Sequence, residues 1–324
     1  MKVYDCFIFF NEIEILDIRF NELDPYVDFF VIVESRETHS GLKKDLYFEK
    51  NKHLFEKYSD KIIYIVMDSL TNPEIKKADS REEEIDIKLK KKLPHFIRKC
   101  REYIWLLFPI FQNSYNLLNK WNRNLTNIVI NKRFRKFIRV MDPKRKRKPP
   151  SKMRENLQRN ELVKALERAN DDDIVMISDL DEIPRGILID QLKKTKKPVV
   201  FEHICYAYYL NWMVKRKWNG TVLIKKKWLK HKTPVYFRKV RGNFEKVING
   251  GWHFTYMGGK ERLYKKIESF WHYNEKKYTK SKRKRNYLKE ISKNTIKVKI
   301  DKSYPDCIHK MIEKYPYLLN EEDI

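Results

Sequence analysis

DDDIVMISDLDEIP, residues Asp171 to Pro184, reads as a strand that delivers acids to the edge of a sheet. Ile174, Val175, Met176 and Ile177 form a short, unbroken apolar block of the kind found in a buried strand. Ser178, Asp179, Asp181 and Glu182 end it abruptly, and Pro184 cannot donate to a continuing ladder. Three carboxylates therefore gather at the carboxyl end of a buried strand, which is where open α/β sheets place ligands. Charges this close repel, and a hard divalent cation such as Mg²⁺ or Mn²⁺ relieves the repulsion best. An Asp-x-Asp pair suits one such ion, which can in turn grip a diphosphate. The competing reading is a solvated acidic turn.

The flanks support an α/β fold. Val3 to Phe10 (VYDCFIFF) is near-continuously apolar, as a parallel strand buried on both faces must be. Glu14 to Leu23 repeats apolar residues at Ile15, Ile18 and Leu23, an amphipathic helix that Asp24 and Pro25 stop. Phe29 to Val33 and Lys61 to Met67 read as two further strands. This β-α-β alternation predicts a doubly wound, mostly parallel sheet with flanking helices. No GxGxxG follows the first strand, so a dinucleotide fingerprint is absent. Glu155 to Ala169 is expected to be helical, with Leu157, Leu162, Val163 and Leu166 facing the core, and Pro198 to Phe201 to be a strand. In Gly250 to Gly259 (GGWHFTYMGG), four glycines bracket Trp252, His253 and Tyr256. Glycine permits close backbone approach, and the rings offer flat surfaces, so the stretch reads as a ligand loop or as a tight aromatic hairpin.

Composition bounds the rest. The 324 residues are 42% hydrophobic and rich in aromatics, enough for a sizeable core and against general disorder. The four cysteines form no CxxC pair, which points to free thiols in a reducing compartment. Strand-like sequence begins by Val3, and the apolar run Tyr103 to Phe111 is too short to span a bilayer. These features predict a cytoplasmic protein, or one peripheral on the cytoplasmic face of a membrane. The formal charge is +27, and Ile85 to Arg154 alone holds 21 Lys and Arg against 3 Asp and Glu. Such a block can meet an anionic membrane surface, a polyanionic substrate or nucleic acid. Apolar runs such as YIWLLF favour a membrane surface or acceptor docking over base stacking. The domains are expected as 1–84, a nucleotide-binding half; 85–154, a basic aromatic-rich insertion; 155–275, a metal and acceptor half; and 276–324, a basic helical tail.

Taken together, YDCFIFFNE, RFNELDPYVDFFVIVES followed by THSG, ENLQRN, ISDLDEIP, and NGGWHFTYMGG with Ser269 and Phe270 beyond it resemble glycosyltransferase family 17. The blocks lie in order along nearly the whole chain. The resemblance implies a GT-A-like fold and an inverting transfer of a sugar, N-acetylglucosamine first, from a UDP-linked donor to a glycan or other hydroxyl acceptor, with Mn²⁺ or Mg²⁺ as cofactor. On that reading Asp181 holds the metal, with Asp179 on the ribose or the metal's water shell and His253 as a further ligand or diphosphate contact. Glu34, Asn11, Arg159 and Trp252 join Asp179 and His253 as donor contacts. Glu182 and Glu268 are the candidate bases, with Glu275 as an alternative. A nucleic-acid-binding protein, or a transferase acting on modified DNA, is the rival class. The acid cluster separates the two, because a nucleic-acid groove gains nothing from three carboxylates.

Overall fold

The computed structural model describes residues 1–77, 79, 80, 150–259, 262 and 294–320. The chain forms two compact units, Met1–Thr71 with Pro150–Ile324, and Asn72–Pro149. Nearly all of the second unit, and with it the YIWLLF and KRKRK runs, lies outside the described residues. So do Glu268 and Glu275.

The first unit is built on one sheet of nine described strands. In chain order the elements are β1 (Val3–Phe9), α1 (Ile13–Leu23), β2 (Phe29–Ser35), α2 (Tyr47–Asn51), β3 (Ile62–Met67) and α3 (Pro150–Asn160). There follow β4 (Ile174–Asp179), β5 (Glu182–Pro184), α4 (Gly186–Leu192), β6 (Val199–Ala207), β7 (Trp212–Lys225), α5 (Pro234–Val240), β8 (Glu245–Thr255), β9 (Thr295–Lys297) and α6 (Ile308–Lys314). The sheet order is β3-β2-β1-β4-β7-β6-β8-β5, with β9 on β7. The pairings make β1, β2, β3, β4, β6, β8 and β9 point one way and β5 and β7 the other. The result is a mixed α/β unit with a mostly parallel sheet and helices on its two faces.

Strand alternation divides the core. Val3, Phe7, Ile174 and Met176 point to the face that α1, α4 and α6 cover with Ile15, Leu16, Phe20, Ile189, Ile308 and Met311. Tyr4, Cys6, Val175 and Ile177 point to the other, where Leu162, Leu166 and Phe237 pack. Burial of the second face departs from the expected helix at Glu155 to Ala169. The α-helix runs over Pro150–Asn160, and a 3-10 segment continues to Leu166. Val163 is exposed, and the buried positions of α3 are Pro150, Arg154, Gln158 and Arg159. A helix lying over the carboxyl ends of strands meets polar groups there, so it turns polar side chains inward. The strand expected at Pro198 to Phe201 extends to Ala207, and the tail expected to be helical contributes β9 as well as α6.

Candidate functional site

The site is built on Arg19, a fully buried residue on the inner side of α1. Its guanidinium takes both oxygens of buried Asp5, at 2.7 and 2.5 Å, and donates to Ser178 Oγ at 2.6 Å. Its remaining nitrogen donates to the carbonyls of Asp179, Leu180 and Glu182 at 3.2, 3.0 and 3.0 Å. The turn that carries the acids is thus pinned from beneath by one planar cation, whose fixed fork matches several acceptors at once.

Above the turn, Asp179 lies between two arginines. Arg159 of α3 approaches Oδ1 at 2.8 Å and Arg238 of α5 approaches Oδ2 at 2.8 Å. Burial would raise the Asp179 pKa, but the two guanidinium charges hold it well below the ordinary carboxylate value. Arg159 also pairs with Glu155, at 2.9 Å. Arg238 is shared with Glu182, at 2.6 Å, and donates to the Gly220 carbonyl at 2.7 Å.

Glu182 does not have the setting of a base. It is fully buried, accepts from Trp218 Nε1 at 2.7 Å and from the Asp179 amide at 3.2 Å, and is ion-paired to Arg238. A carboxylate so engaged orients its neighbours instead of taking a proton from an incoming hydroxyl.

Asp181 meets His253 because β5 pairs with β8, setting Glu182 opposite His253, while the Phe254 amide binds the Asp181 carbonyl at 2.9 Å. His253 Nε2 lies 3.6 Å from Asp181 Oδ1, and Cys205 Sγ is 3.9 Å from Nδ1. Burial would lower the His253 pKa, but the Asp181 carboxylate outweighs it and lifts it to about 10. The imidazole also stacks on Trp218, with centroids 5.1 Å apart. Among the described residues no group of three or more His, Cys, Asp and Glu is arranged to hold a metal. Asp181 offers one oxygen, His253 offers a nitrogen only once a metal displaces the proton that Asp181 now stabilises, and the Asp179 carboxylate is committed to its arginines. Of Asp181 and His253, the carboxylate is the ligand suited to a hard cation such as Mg²⁺ or Mn²⁺, which would take its remaining ligands from water and a bound diphosphate.

Of the other expected donor contacts, Trp252 and Glu34 are taken up by the fold, and Asn11 lines a cavity of its own. Trp252 is 1% exposed and sits in the core beneath the sheet, its Nε1 donating to the Ser303 carbonyl at 3.0 Å and Arg185 stacked over it at 4.3 Å. Alternation along β8 sends neighbouring Trp252 and His253 to opposite faces, so only His253 reaches the site. Glu34 is fully buried and accepts four hydrogen bonds, from Lys44 Nζ, the Tyr64 hydroxyl and the amides of Tyr47 and Phe48 at the start of α2. Its carboxylate is a structural hub. Asn11, just past β1, lines a separate cavity of about 290 Å³ with Glu12, Tyr47 and Tyr256. Tyr256 holds a φ of 57°, a left-handed conformation costly for a bulky residue and found where a site constrains the backbone.

Four residues of the site escaped sequence reasoning: Arg19, His203, Trp218 and Arg238. His203 is fully buried, neither ring nitrogen is hydrogen-bonded among the described residues, and burial holds its pKa well below the ordinary value. It fits only because residue 220 is glycine, since a Cβ there would lie 2.2 Å from His203 Nδ1.

A family model described as glycosyltransferase family 17 matches residues 1–100 and 113–318. No curated protein and no solved structure matches the chain. The family match spans both the β1–β4 half and the half containing His253, so it covers every site residue described above. The chain belongs to glycosyltransferase family 17.

Proposed function

We propose that this protein is a metal-dependent, inverting glycosyltransferase of GT-A-like fold that moves a sugar, N-acetylglucosamine first, from a UDP donor to a hydroxyl acceptor. Membership of a glycosyltransferase family supplies the reaction class. The observation that carries the finer reading is the Asp181–His253 pair, 3.6 Å apart at the end of β4, beside an Asp179 fixed by Arg159 and Arg238. Asp181 and His253 would hold the cation, whose chemistry is to offset negative charge on the departing diphosphate. Arg159, held between Asp179 and Glu155, is a guanidinium on the same side, a group whose geometry suits phosphate oxygens. The cavity lined by Asn11, Tyr47 and Tyr256 lies at the carboxyl ends of β1 and β8 and is where this reading seats the donor's nucleoside. Glu182, by fixing Trp218 and Arg238, keeps the rim in register. In the transfer itself the acceptor oxygen bonds to the anomeric carbon as the bond to the diphosphate breaks, and a base takes the hydroxyl proton. Glu268 keeps that role in this reading.

The test is thermal stability with UDP, with and without Mn²⁺, followed by UDP release from UDP-N-acetylglucosamine. A ligand that binds only the folded state raises the midpoint by mass action, so UDP with metal should stabilise the protein more than either alone. Asp181→Asn should keep the fold and lose both the metal-dependent shift and turnover. Full turnover in excess chelator would refute the metal assignment, and stabilisation by another nucleotide but not UDP would refute the donor class.

A further inference from the structure

We propose that the groove between β7, α5 and the start of β8 is an acceptor subsite for an anionic group, a phosphate, sulfate or carboxylate carried on the acceptor sugar; the proposal rests on the transferase reading above. The groove encloses about 530 Å³, and its walls include Trp218, Asn219, Arg238, Lys239, Arg241 and Lys246. Lys217 is a further cation on the rim, and Glu202 is the acid there.

Charge accounting separates this groove from an ordinary basic surface. Arg238 is neutralised by Glu182 and Asp179, and Lys246 by Glu202 at 3.0 Å. Arg241, Lys217 and Lys239 form no ion pair among the described residues. The two lysines are exposed, and a lysine-rich chain needs no ligand to explain them. Arg241 is different. It is half-buried, lies over the Trp218 ring at 5.2 Å, and stands beside the buried guanidinium of Arg238. Burial, with the like charge of Arg238 added, lowers its pKa, and the nearby carboxylates of Glu182 and Asp179, already engaged by Arg238, offset only part of this. A cation drawn out of water next to another cation is costly unless an anion completes it. Guanidinium is also the group best shaped to take a phosphate, sulfate or carboxylate in two parallel hydrogen bonds.

The place of the groove argues for the acceptor over the donor. Its walls come from β6, β7, β8 and α5, and it shares no residue with the cavity at Asn11. It is nonetheless one ring from the reaction centre, because Trp218 bonds Glu182 through Nε1 and stacks on His253. Trp218 is covered by His253 and by the guanidinium groups of Arg241 and Arg216, so it fixes Arg241 in place, and Arg241 supplies the counter-charge to the anionic group of an acceptor.

Gly242 provides the test. Gly242 lines the groove, and a Cβ there would meet nothing nearer than Asn219 Nδ2, at 4.0 Å, so a side chain can be started at this position without a clash. Binding of mannose 6-phosphate, mannose, glucuronic acid, glucose and inorganic phosphate would be measured by calorimetry on the full chain, in wild type, Gly242→Asp and the uncharged isostere Gly242→Asn. Wild type should bind each charged sugar about tenfold more tightly than its neutral counterpart, the weight of one charge-assisted contact, and more tightly than phosphate alone. Gly242→Asp and Arg241→Gln should abolish that preference, and Gly242→Asn should keep it. The UDP and Mn²⁺ thermal shift, run on the same proteins, should be unchanged. Loss of that shift in Gly242→Asp would assign the groove to the donor diphosphate and overturn the proposal. Equal binding of charged and neutral sugars, or of phosphate and sugar phosphate, would overturn it too. A wild type that shows no UDP shift yet binds charged sugars would refute the donor reading alone.

Discussion

Burying a guanidinium completely is expensive, and Arg19 is tolerated because each of its donors is met. Removing it would leave Asp5 without its partner in the core and release three carbonyls of the acid-bearing turn. Arg19→Met should therefore cost about 3–5 kcal/mol in urea denaturation. Arg19→Met combined with Asp5→Leu should recover much of that, because the double variant buries no unpaired charge. If the double variant is as unstable as the single, the turn carbonyls and not the ion pair dominate the cost. Arg19 was invisible in the sequence because its partners lie up to 163 residues away. On α1 it stands four residues after Ile15, on the buried stripe, but a charged residue there reads as a break in the stripe and not as part of the core. Asp179 and Asp181 were legible for the opposite reason: the apolar strand that aims them is adjacent. What the local pattern could not reveal is their division of labour. Asp179 is claimed by Arg159 and Arg238, whereas Asp181 is the acid that faces His253.

At the scale of elements, boundaries followed from periodicity, and facing depended on register. β1, β2 and β3 fall close to the apolar runs that suggested them. The glycine-bracketed stretch was misleading, because Gly250 and Gly251 lie inside β8 and not in a loop. Gly251 holds a φ of 151° and lets β5 approach so closely that a Cβ would lie 2.1 Å from the Ile183 carbonyl oxygen. A sequence shows the glycines but not the strand that presses on them. The junction of α1 and α4 has a consequence for pH. Glu22 accepts from the Gly186 amide at 2.8 Å, and burial, only partly offset by that bond and by Arg185, lifts its pKa from 4.5 to about 7. The folded state thus holds this proton more tightly than the unfolded chain. The stabilisation is complete below pH 4.5 and is lost as pH rises through 7. Glu22→Gln keeps an acceptor for Gly186 and removes the titration. Relative to the variant, wild type should lose about 1–2 kcal/mol between pH 5 and pH 8, allowing for partial solvent screening. Denaturation midpoints at the two pH values would show this as converging or crossing curves, and parallel curves would contradict it.

For the whole molecule, the order of strands and acids along the chain was readable because each β-α-β step is local, and the family match covers those steps within residues 1–100 and 113–318. The second half was less readable. There β6, β7 and β8 pair with shifted registers at Phe201/His203 and Ile204/Cys205, and the pairing alone decides that Trp218, His203 and His253 gather on one face. The largest molecular property is charge. Of the formal +27, most belongs to Ile85 to Arg154, where 21 basic residues meet 3 acids. Among the described residues no helix is long and apolar enough to cross a membrane. A block of this charge, interleaved with Trp105, Phe108, Phe111 and Trp121, should bring the protein to anionic lipid: each Lys or Arg near such a surface contributes about 1 kcal/mol, and the aromatics add an apolar share that salt does not screen. Flotation with vesicles containing phosphatidylserine, over a salt series, should show binding that falls with ionic strength to a non-zero remainder. Neutral vesicles should bind only at that residual level. Replacing Lys144 to Lys148 with glutamine should weaken the salt-sensitive part and leave the remainder. Double-stranded DNA, tested by gel shift over the same series, should show association that vanishes at high salt, because phosphate contacts act through counterion release. Tight DNA binding with no flotation would transfer the basic block to nucleic acid. Failure to bind either would leave its charge without a surface partner.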